Sequence, residues 1–364
     1  MGIAQYLEGR QLKGRSRTLW TVGERLSSDQ EDSGMFHSVG YKVRSDDGRD
    51  AFMKVTDLDL LTDSECSPFE RTQAAIQAHT VERQMLEHCK GNNMDRIVVA
   101  VDYGDAIIKH DEGKEPIFYL MFELAECDVR VQVDRKLQFD QAWTLGALHD
   151  LAVAIQQLHK GRVNHNDIKP ENFLVFRDMT FRERLQKLAD LGCATSPLIA
   201  SIYDDAVCIG DPRYAAPEVL YGGTLPEQSC SFEARRAVDI YHLGSMIFFL
   251  ITGRMLTPEV ILRLAPEHRP ATDDDDLSFE LSEILPYWRE ALGRALEQFI
   301  EKLPRNSKGQ LNQIGEGLLA ALQQLVEPDP GLRGHPENRR SSGDQYAVQQ
   351  YISLFDALRR RSAS

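Results

Sequence analysis

Residues 163–175 read Val163-Asn164-His165-Asn166-Asp167-Ile168-Lys169-Pro170-Glu171-Asn172-Phe173-Leu174-Val175. A His, an Asp, a Lys and an Asn stand at fixed short offsets, with apolar residues on both sides. Asp167 and Asn172 are five apart, so a tight loop between two short strands can aim both at one point. That pair suits phosphoryl transfer, in which a carboxylate receives the proton of an attacking hydroxyl and an amide oxygen holds Mg²⁺. Lys169, two residues after the Asp, is placed to lie beside a phosphate as a point charge. Short patterns also match by chance, and a surface loop is the bland alternative. The stretch therefore counts only if its partners stand at the right places.

They do. The apolar run Phe173-Leu174-Val175-Phe176 leads to Leu188-Ala189-Asp190-Leu191-Gly192, and further on stands Gly210-Asp211-Pro212-Arg213-Tyr214-Ala215-Ala216-Pro217-Glu218. Asp190-Leu191-Gly192 resembles the Asp-Phe-Gly of protein kinases, and Ala216-Pro217-Glu218 resembles the end of their activation segment. With three motifs in order, the chain resembles a eukaryotic-type (Hanks-type) protein kinase domain from about Leu19 to the C-terminus. The resemblance implies an α+β, bilobal protein-kinase-like fold, with a small antiparallel β-sheet lobe plus one helix and a larger, mainly helical lobe. It divides the chain into an arm (1–17), a small lobe (18–123), a large lobe (124–340) and a C-terminal helix or tail (341–364).

At 364 residues the chain is long for one compact core and suits two lobes. Apolar content of 42% and charged content of 27% are ordinary for a soluble globular protein. A formal charge of −14 argues against a general nucleic-acid binder, which needs clustered Lys and Arg. The six cysteines (Cys66, Cys89, Cys127, Cys193, Cys208, Cys230) are scattered without a CxxC pair, so free thiols are expected rather than a metal site or disulfide framework. No apolar run reaches the length of a membrane span, and the N-terminus lacks a secretory or myristoylation signal. A cytoplasmic location is expected.

Residues 1–17 are polar and basic and read as a leader strand or a mobile arm. Leu19-Trp20-Thr21-Val22, Tyr41-Lys42-Val43 and Ala51-Phe52-Met53-Lys54-Val55 are strand-like, with Asp46-Asp47-Gly48 as a hairpin turn. Lys54 is a charge among apolar residues and needs a partner. The resemblance makes it the lysine on the ATP α- and β-phosphates, paired with Glu82 of a helix; Glu87 is the competing choice. The glycine-rich turn over the phosphates falls on Ser33-Gly34-Met35-Phe36-His37-Ser38-Val39. Gly34 and Phe36 fit that pattern, while Asp32 and His37 stand where glycines would be. Ser27–Ser33 reads as an extension of the turn, and Thr56–Phe69 as an inserted loop. Ile117 to Ala125 is a buried strand running into a linker that resembles the kinase hinge, with Phe122 as gatekeeper and Glu123 to Ala125 offering backbone groups to adenine.

Gln141 to His159 carries apolar residues at helical spacing. Within the catalytic stretch Asn166 replaces the family's usual Arg, which implies an enzyme that does not need a phosphorylated activation segment, although Thr195, Ser196, Ser201 and Tyr203 leave phosphorylation of that segment open. Asp211 stands where Ser/Thr kinases usually have Thr and is placed to pair with Lys169 or repel Asp167. Asp239 is expected to anchor the catalytic loop from below, and Arg333 to pair with Glu218. Asp273-Asp274-Asp275-Asp276 reads as a solvated loop, since like charges in series repel. Gln345–Arg361 reads as an amphipathic helix docked on the large lobe. Cys193 reads as a small buried residue rather than a redox thiol.

The resemblance thus implies ATP and Mg²⁺ as cofactors and a protein as substrate. Lys54, Glu82, Gly34, Glu123 and Ala125 would hold ATP, Asn172 and Asp190 the metal, and Asp167 and Lys169 would carry the transfer. Lys169-Pro170-Glu171-Asn172 resembles the Ser/Thr-specific loop. The alternatives are a pseudokinase that signals by binding, a small-molecule phosphotransferase, which would lack the Ala216-Pro217-Glu218 segment, and an AMP-transferring relative with a reversed nucleotide.

Overall fold

Three strands define the first layer. They are β2 (Leu19–Leu26), β3 (Ser38–Ser45) and β4 (Asp50–Thr56), and each alternates buried with exposed residues over part of its length. The computed structural model describes residues 2–26, 38–57, 67–110, 113–135, 140–177, 184–221, 230–270, 279–340 and 343–362. Gly34 and the rest of the expected glycine turn up to His37, its extension, residues 58–66 of the expected Thr56–Phe69 insertion and the acidic run 273–276 lie outside these residues, whereas Thr56 ends a strand and Phe69 lies in a helix. The β3–β4 hairpin turns at Asp46-Asp47-Gly48, where Gly48 takes a φ of +87° that favours glycine. Its register sets Val43 opposite Ala51 and Gly40 opposite Lys54.

With β1 (Gln11–Lys13), β5 (Ala100–His110) and β6 (Gly113–Glu123), these strands form an antiparallel sheet in the order β1-β2-β3-β4-β6-β5. Residues 2–17 belong to this layer. Ile3, Ala4, Leu7 and Leu12 are buried against Trp20, Tyr41 and Tyr119, and β1 pairs with β2. The sheet curls until its two ends meet at Asp102 of β5. That carboxylate accepts from Ser16 N–H (3.1 Å), the Ser16 hydroxyl (2.6 Å) and Trp20 Nε1 (3.0 Å).

Helix α1 (Pro68–Gly91) begins with a capping box. The Ser67 side chain accepts from Glu70 N–H, while the Glu70 carboxylate returns to Ser67 N–H. Its buried residues Val81, Met85, Leu86 and Cys89 recur at helical spacing and join the core that continues into the second lobe.

The second lobe is built on α3 (Gln141–Lys160) and α5 (Phe232–Thr252), preceded by the short helices α2 (Val129–Asp134) and α4 (Pro217–Leu220). Helix α5 is buried from Arg235 to Thr252 except at Val238, so nearly every face meets protein. It stops at Gly253, whose φ of +73° ends the helical turn. Helices α6 (Leu256–Ile261), α7 (Leu281–Lys302), α8 (Gln313–Leu325) and α9 (Pro336–Arg340) complete the layer. Gly244 of α5 lets α8 approach closely, since an added Cβ would lie 2.4 Å from Val326 Cγ1. The final helix α10 (Gln349–Ser362) lays Tyr351, Phe355 and Leu358 on α3 and α8. A small sheet of β7 (Cys127–Asp128), β8 (Phe173–Arg177) and β9 (Arg184–Leu188) lies between the lobes' chain segments and carries the 163–172 stretch on one end.

Candidate active site

Residues 163–172 fold as a loop ahead of β8, and Asp239 of α5 fixes it from below. Asp239 is fully buried and accepts from the backbone N–H groups of His165 (3.0 Å) and Asn166 (2.9 Å). It also lies 3.0 Å from His159 Nε2. Burial alone would raise the Asp239 carboxyl, but the bond to His159 and the nearby imidazoles outweigh it and hold the group below the usual range. Asn166 takes a φ of +65°, a conformation that Asn tolerates better than most residues. Its amide donates to Cys193 O (2.9 Å) and Thr195 Oγ1 (3.0 Å), tying the loop to the segment after Asp190 by neutral bonds.

On this support Asp167, Lys169 and Asn172 converge. Lys169 Nζ lies 2.9 Å from Asp167 Oδ2, and the Asn172 amide donates to the same oxygen at 3.0 Å. Asp167 Oδ1 accepts from the Asp211 N–H at 2.9 Å. The approach requires Gly210, because a Cβ there would sit 2.5 Å from Asn166 O and its φ is +83°. The Asp211 carboxylate reaches Lys169 at 3.6 Å and is gripped by Arg213, whose Nη2 lies 2.7 Å away. It therefore pairs rather than stands unpaired beside Asp167. Burial opposes its charge, yet Arg213 and Lys169 keep its carboxyl below the usual range.

The second cluster spans the lobes. Lys54 Nζ on β4 is 2.9 Å from Glu82 Oε1 of α1 and 2.8 Å from Asp190 Oδ1. Glu82 meets the lysine, whereas Glu87 bonds Arg83 one turn back. Burial works against the Lys54 charge, but Asp190 and Glu82 outweigh it and raise its pKa. Glu82 is pushed up, by burial first and by Asp190 as well, while Lys54 holds Asp190 down against its burial. Asp190 has a φ of +64°. The bonds to it from Lys54 and Gly192 N–H both fall on Oδ1.

A cavity of about 430 Å³ separates the lobes at this cluster. Its walls include Phe52, Val98, Phe122 and Leu174, the linker Glu123-Leu124-Ala125, and the polar groups of Lys54, Asn172 and Asp190. The Glu123 side chain is turned to Lys187 at 2.5 Å. Two oxygen donors, the Asn172 amide and the Asp190 carboxylate, suit a hard cation that takes its other ligands from phosphate and water. Among the described residues no group of three or more His, Cys, Asp or Glu forms an all-protein metal cage. Cys193, just beyond, is pushed up to about 12, chiefly by burial, and so stays a thiol.

Of the sequence candidates, Lys54, Glu82, Glu123, Ala125, Asn172 and Asp190 line this one cavity, with Asp167 and Lys169 beside Asn172. The sequence reading passed over Arg130, which bonds Glu171 and the Tyr214 hydroxyl. Nothing in its local pattern marks it, because both partners are distant in the chain. Arg333 forms a bidentate pair with Glu218, with Nη2 2.8 Å from Oε2, beneath the 210–218 segment.

Two lobes around a cleft, a lysine–glutamate pair above and an Asp–Lys–Asn loop below define the architecture of a phosphotransferase of the kinase type. A family model described as the protein kinase domain matches residues 33–306, well over half of the sequence, and the chain belongs to this family. Serine/threonine-protein kinase PrkC of Bacillus subtilis is 27% identical over 158 residues, 43% of this chain and 22% of that protein. Serine/threonine-protein kinase DCLK1 of Rattus norvegicus is 29% identical over 265 residues, 69% of this chain and 52% of its own length. A Wee1-like protein kinase of Oryza sativa is 30% identical over 139 residues, 38% of this chain and 23% of that protein. The chain thus spans between about a quarter and about half of these relatives. No helix among the described residues is long and apolar enough to cross a membrane.

Proposed function

We propose that this chain is a catalytically active serine/threonine protein kinase that transfers the γ-phosphoryl of ATP to a protein hydroxyl. The supporting observation is the assembled triad of Lys54, Glu82 and Asp190, set in the cavity that Asn172 also lines. Two carboxylates converge on one lysine there, so the site holds more negative charge than its own cation balances. Mg²⁺ would be held by Asn172 and Asp190 and would supply positive charge against the phosphates. Lys54, kept charged and fixed by Glu82, would hold the α- and β-phosphates. Asp167 would orient the acceptor hydroxyl and take its proton, while Lys169, 2.9 Å away, would face the charge that develops on the transferred group. The loop Lys169-Pro170-Glu171-Asn172 supports Ser/Thr acceptors, and two of the relatives carry that specificity in their names.

Transfer from γ-labelled ATP with Mg²⁺ to the protein itself and to a mixed set of serine and threonine peptides tests this reading, with Asp167→Ala alongside. Label on the wild type alone, recovered after acid hydrolysis as phosphoserine or phosphothreonine, is the expected result. Folded protein that binds ATP and transfers nothing would instead be a pseudokinase, the reading favoured by Asp32 and His37 standing where the family places glycines.

A further inference from the structure

The support under the 163–172 loop does not end at Asp239. His159 lies 3.0 Å from Asp239 through Nε2, and its other ring nitrogen, Nδ1, faces the Nε–H of Arg236 at 3.4 Å. A guanidinium can only donate, so Nδ1 accepts and the ring proton sits on Nε2, directed at the carboxylate. The other two nitrogens of Arg236 hold acids, Nη1 on Glu233 at 2.9 Å and Nη2 on Asp344 at 2.5 Å. Glu233 is one turn back on the same helix. Asp344 is 108 residues away, in the stretch that leads into α10.

The residues after Asp344 grip a second support. Gln345 Nε2 donates to the carbonyls of Pro330 (2.9 Å), Gly331 (3.1 Å) and Arg333 (3.1 Å), and the Tyr346 hydroxyl donates to Pro330 O at 3.1 Å. The clasp needs Gly334, since an added Cβ would lie 2.8 Å from Gln345 O. Arg333 is the cation that holds Glu218 of the 210–218 segment. One short stretch therefore reaches the supports of both working segments, and it lies beyond residue 306, where the match to the kinase model ends.

We propose that Asp344 is a positioning residue for phosphoryl transfer. By holding Arg236 it sets the His159–Asp239 bond, and with it the backbone of His165 and Asn166 that leads into Asp167. This rests on the kinase reading above and adds to its machinery a residue that touches neither nucleotide nor acceptor. The link is geometric. The guanidinium is planar and its donors are fixed in one fork, so tying Nη1 and Nη2 to acids on two different elements leaves Nε one direction to point. Glu233 alone would leave the fork free to turn about its own helix. Asp344 supplies the anchor from outside that helix, and Arg236 is 7% exposed, so little water can replace it.

The test follows amide hydrogen exchange at His165 and Asn166, kcat, and affinity for a non-hydrolysable ATP analogue with Mg²⁺, all on the full chain. Asp344→Ala is expected to speed exchange at both amides about three- to tenfold and to lower kcat by a similar factor, with affinity for the analogue unchanged. Asp344→Asn keeps an acceptor oxygen for Nη2 and is expected to fall between the two. Asp356→Ala, which breaks the pair with Arg360 on α10, should move neither the amides nor kcat. An Asp344→Ala variant with a lowered unfolding midpoint but wild-type amides and kcat would make Asp344 a brace of α10 alone and overturns the proposal. An equal loss of affinity for the analogue overturns it too, since both lobes would then have loosened. If Asp344→Ala does not fold, Asp344→Asn is judged by the same criteria. Exchange needs no turnover, so a wild type that transfers no phosphate while its amides respond to Asp344→Ala would end the catalytic reading and leave the link from Asp344 to the loop standing. A wild type that transfers phosphate, with both readouts unmoved by Asp344→Ala, would do the reverse.

Discussion

Two buried charge clusters, one between the lobes and one inside the large lobe, are built on opposite principles. Arg333 and Glu218 match one cation to one anion, and the guanidinium's other donors end on the carbonyls of Glu327, Ala237 and Pro328. Lys54 by contrast is shared by Glu82 and Asp190, an excess of one negative charge, and the Glu82 carboxyl is pushed up by its burial first and by Asp190 as well. A balanced and fully bonded cluster holds a fold together. An unbalanced one, facing a cavity, leaves room for a further cation, which on the proposed reading is Mg²⁺ with the ATP phosphates. The difference marks where chemistry belongs without reference to any motif.

If that contrast is right, the largest effect falls on the balanced pair. Arg333→Met leaves Glu218 buried and unpaired and is expected to cost about 3–5 kcal/mol of stability, measured by denaturant unfolding. Replacing both, as Arg333→Met with Glu218→Leu, should recover much of that loss. The unbalanced cluster should behave otherwise. Lys54→Met is expected to lower the transfer rate by about 10²–10³, read from labelled phosphate, and adding Glu82→Leu should restore no activity whatever it does to stability. Recovery of activity in that double variant would end the distinction.

The pH dependence separates the clusters more finely. Glu82 has a folded pKa above the ordinary carboxylate value, so the unfolded chain gives up this proton first and the group's stabilising contribution is lost as pH rises through the folded value. Asp239 has a folded pKa below the ordinary value, so its contribution is present above that value and is lost as pH falls. Glu82→Gln should therefore gain on wild type as pH rises from about 4, and Asp239→Asn should close its gap to wild type as pH falls below about 4. Unfolding midpoints across pH 3–8 check both, and parallel curves would contradict the assignment.

Much of the site could be read because its parts are close in the chain. Asp167, Lys169 and Asn172 fall within six residues, and a loop that short leaves little freedom in where they point. Asp239 and Arg333 were readable from motif order, though their partners lie 73 and 115 residues away. Glu82 and Glu87 were harder, since both sit on one helix and spacing does not say which turn faces β4. Residues 2–17 were legible only as a strand or an arm, because the carboxylate that fastens Ser16 is 86 residues distant. Arg130 gave no signal at all. Its helix is short, its neighbours Val129 and Val131 are unremarkable, and its partners come from two other segments.

The smallest expected effect concerns Asp211, which belongs to neither cluster and borrows from each kind. Like the Arg333 pair it is matched, by Arg213, yet it also shares Lys169 with Asp167 and so sits on the working side of the loop. Asp211→Thr keeps the backbone N–H that bonds Asp167 but removes the carboxylate from Lys169 and Arg213. Lys169 retains Asp167 and its charge, so the lysine stays in place, while the 210–214 segment loses one fastening. The expected outcome is a fall in kcat of a few-fold, under about 1 kcal/mol, with KM for ATP unchanged because the Lys54 cluster is untouched. A change in KM for ATP of similar size would mean that the two clusters are coupled through the catalytic loop, and the separation between a structural and a working cluster would have to be drawn elsewhere.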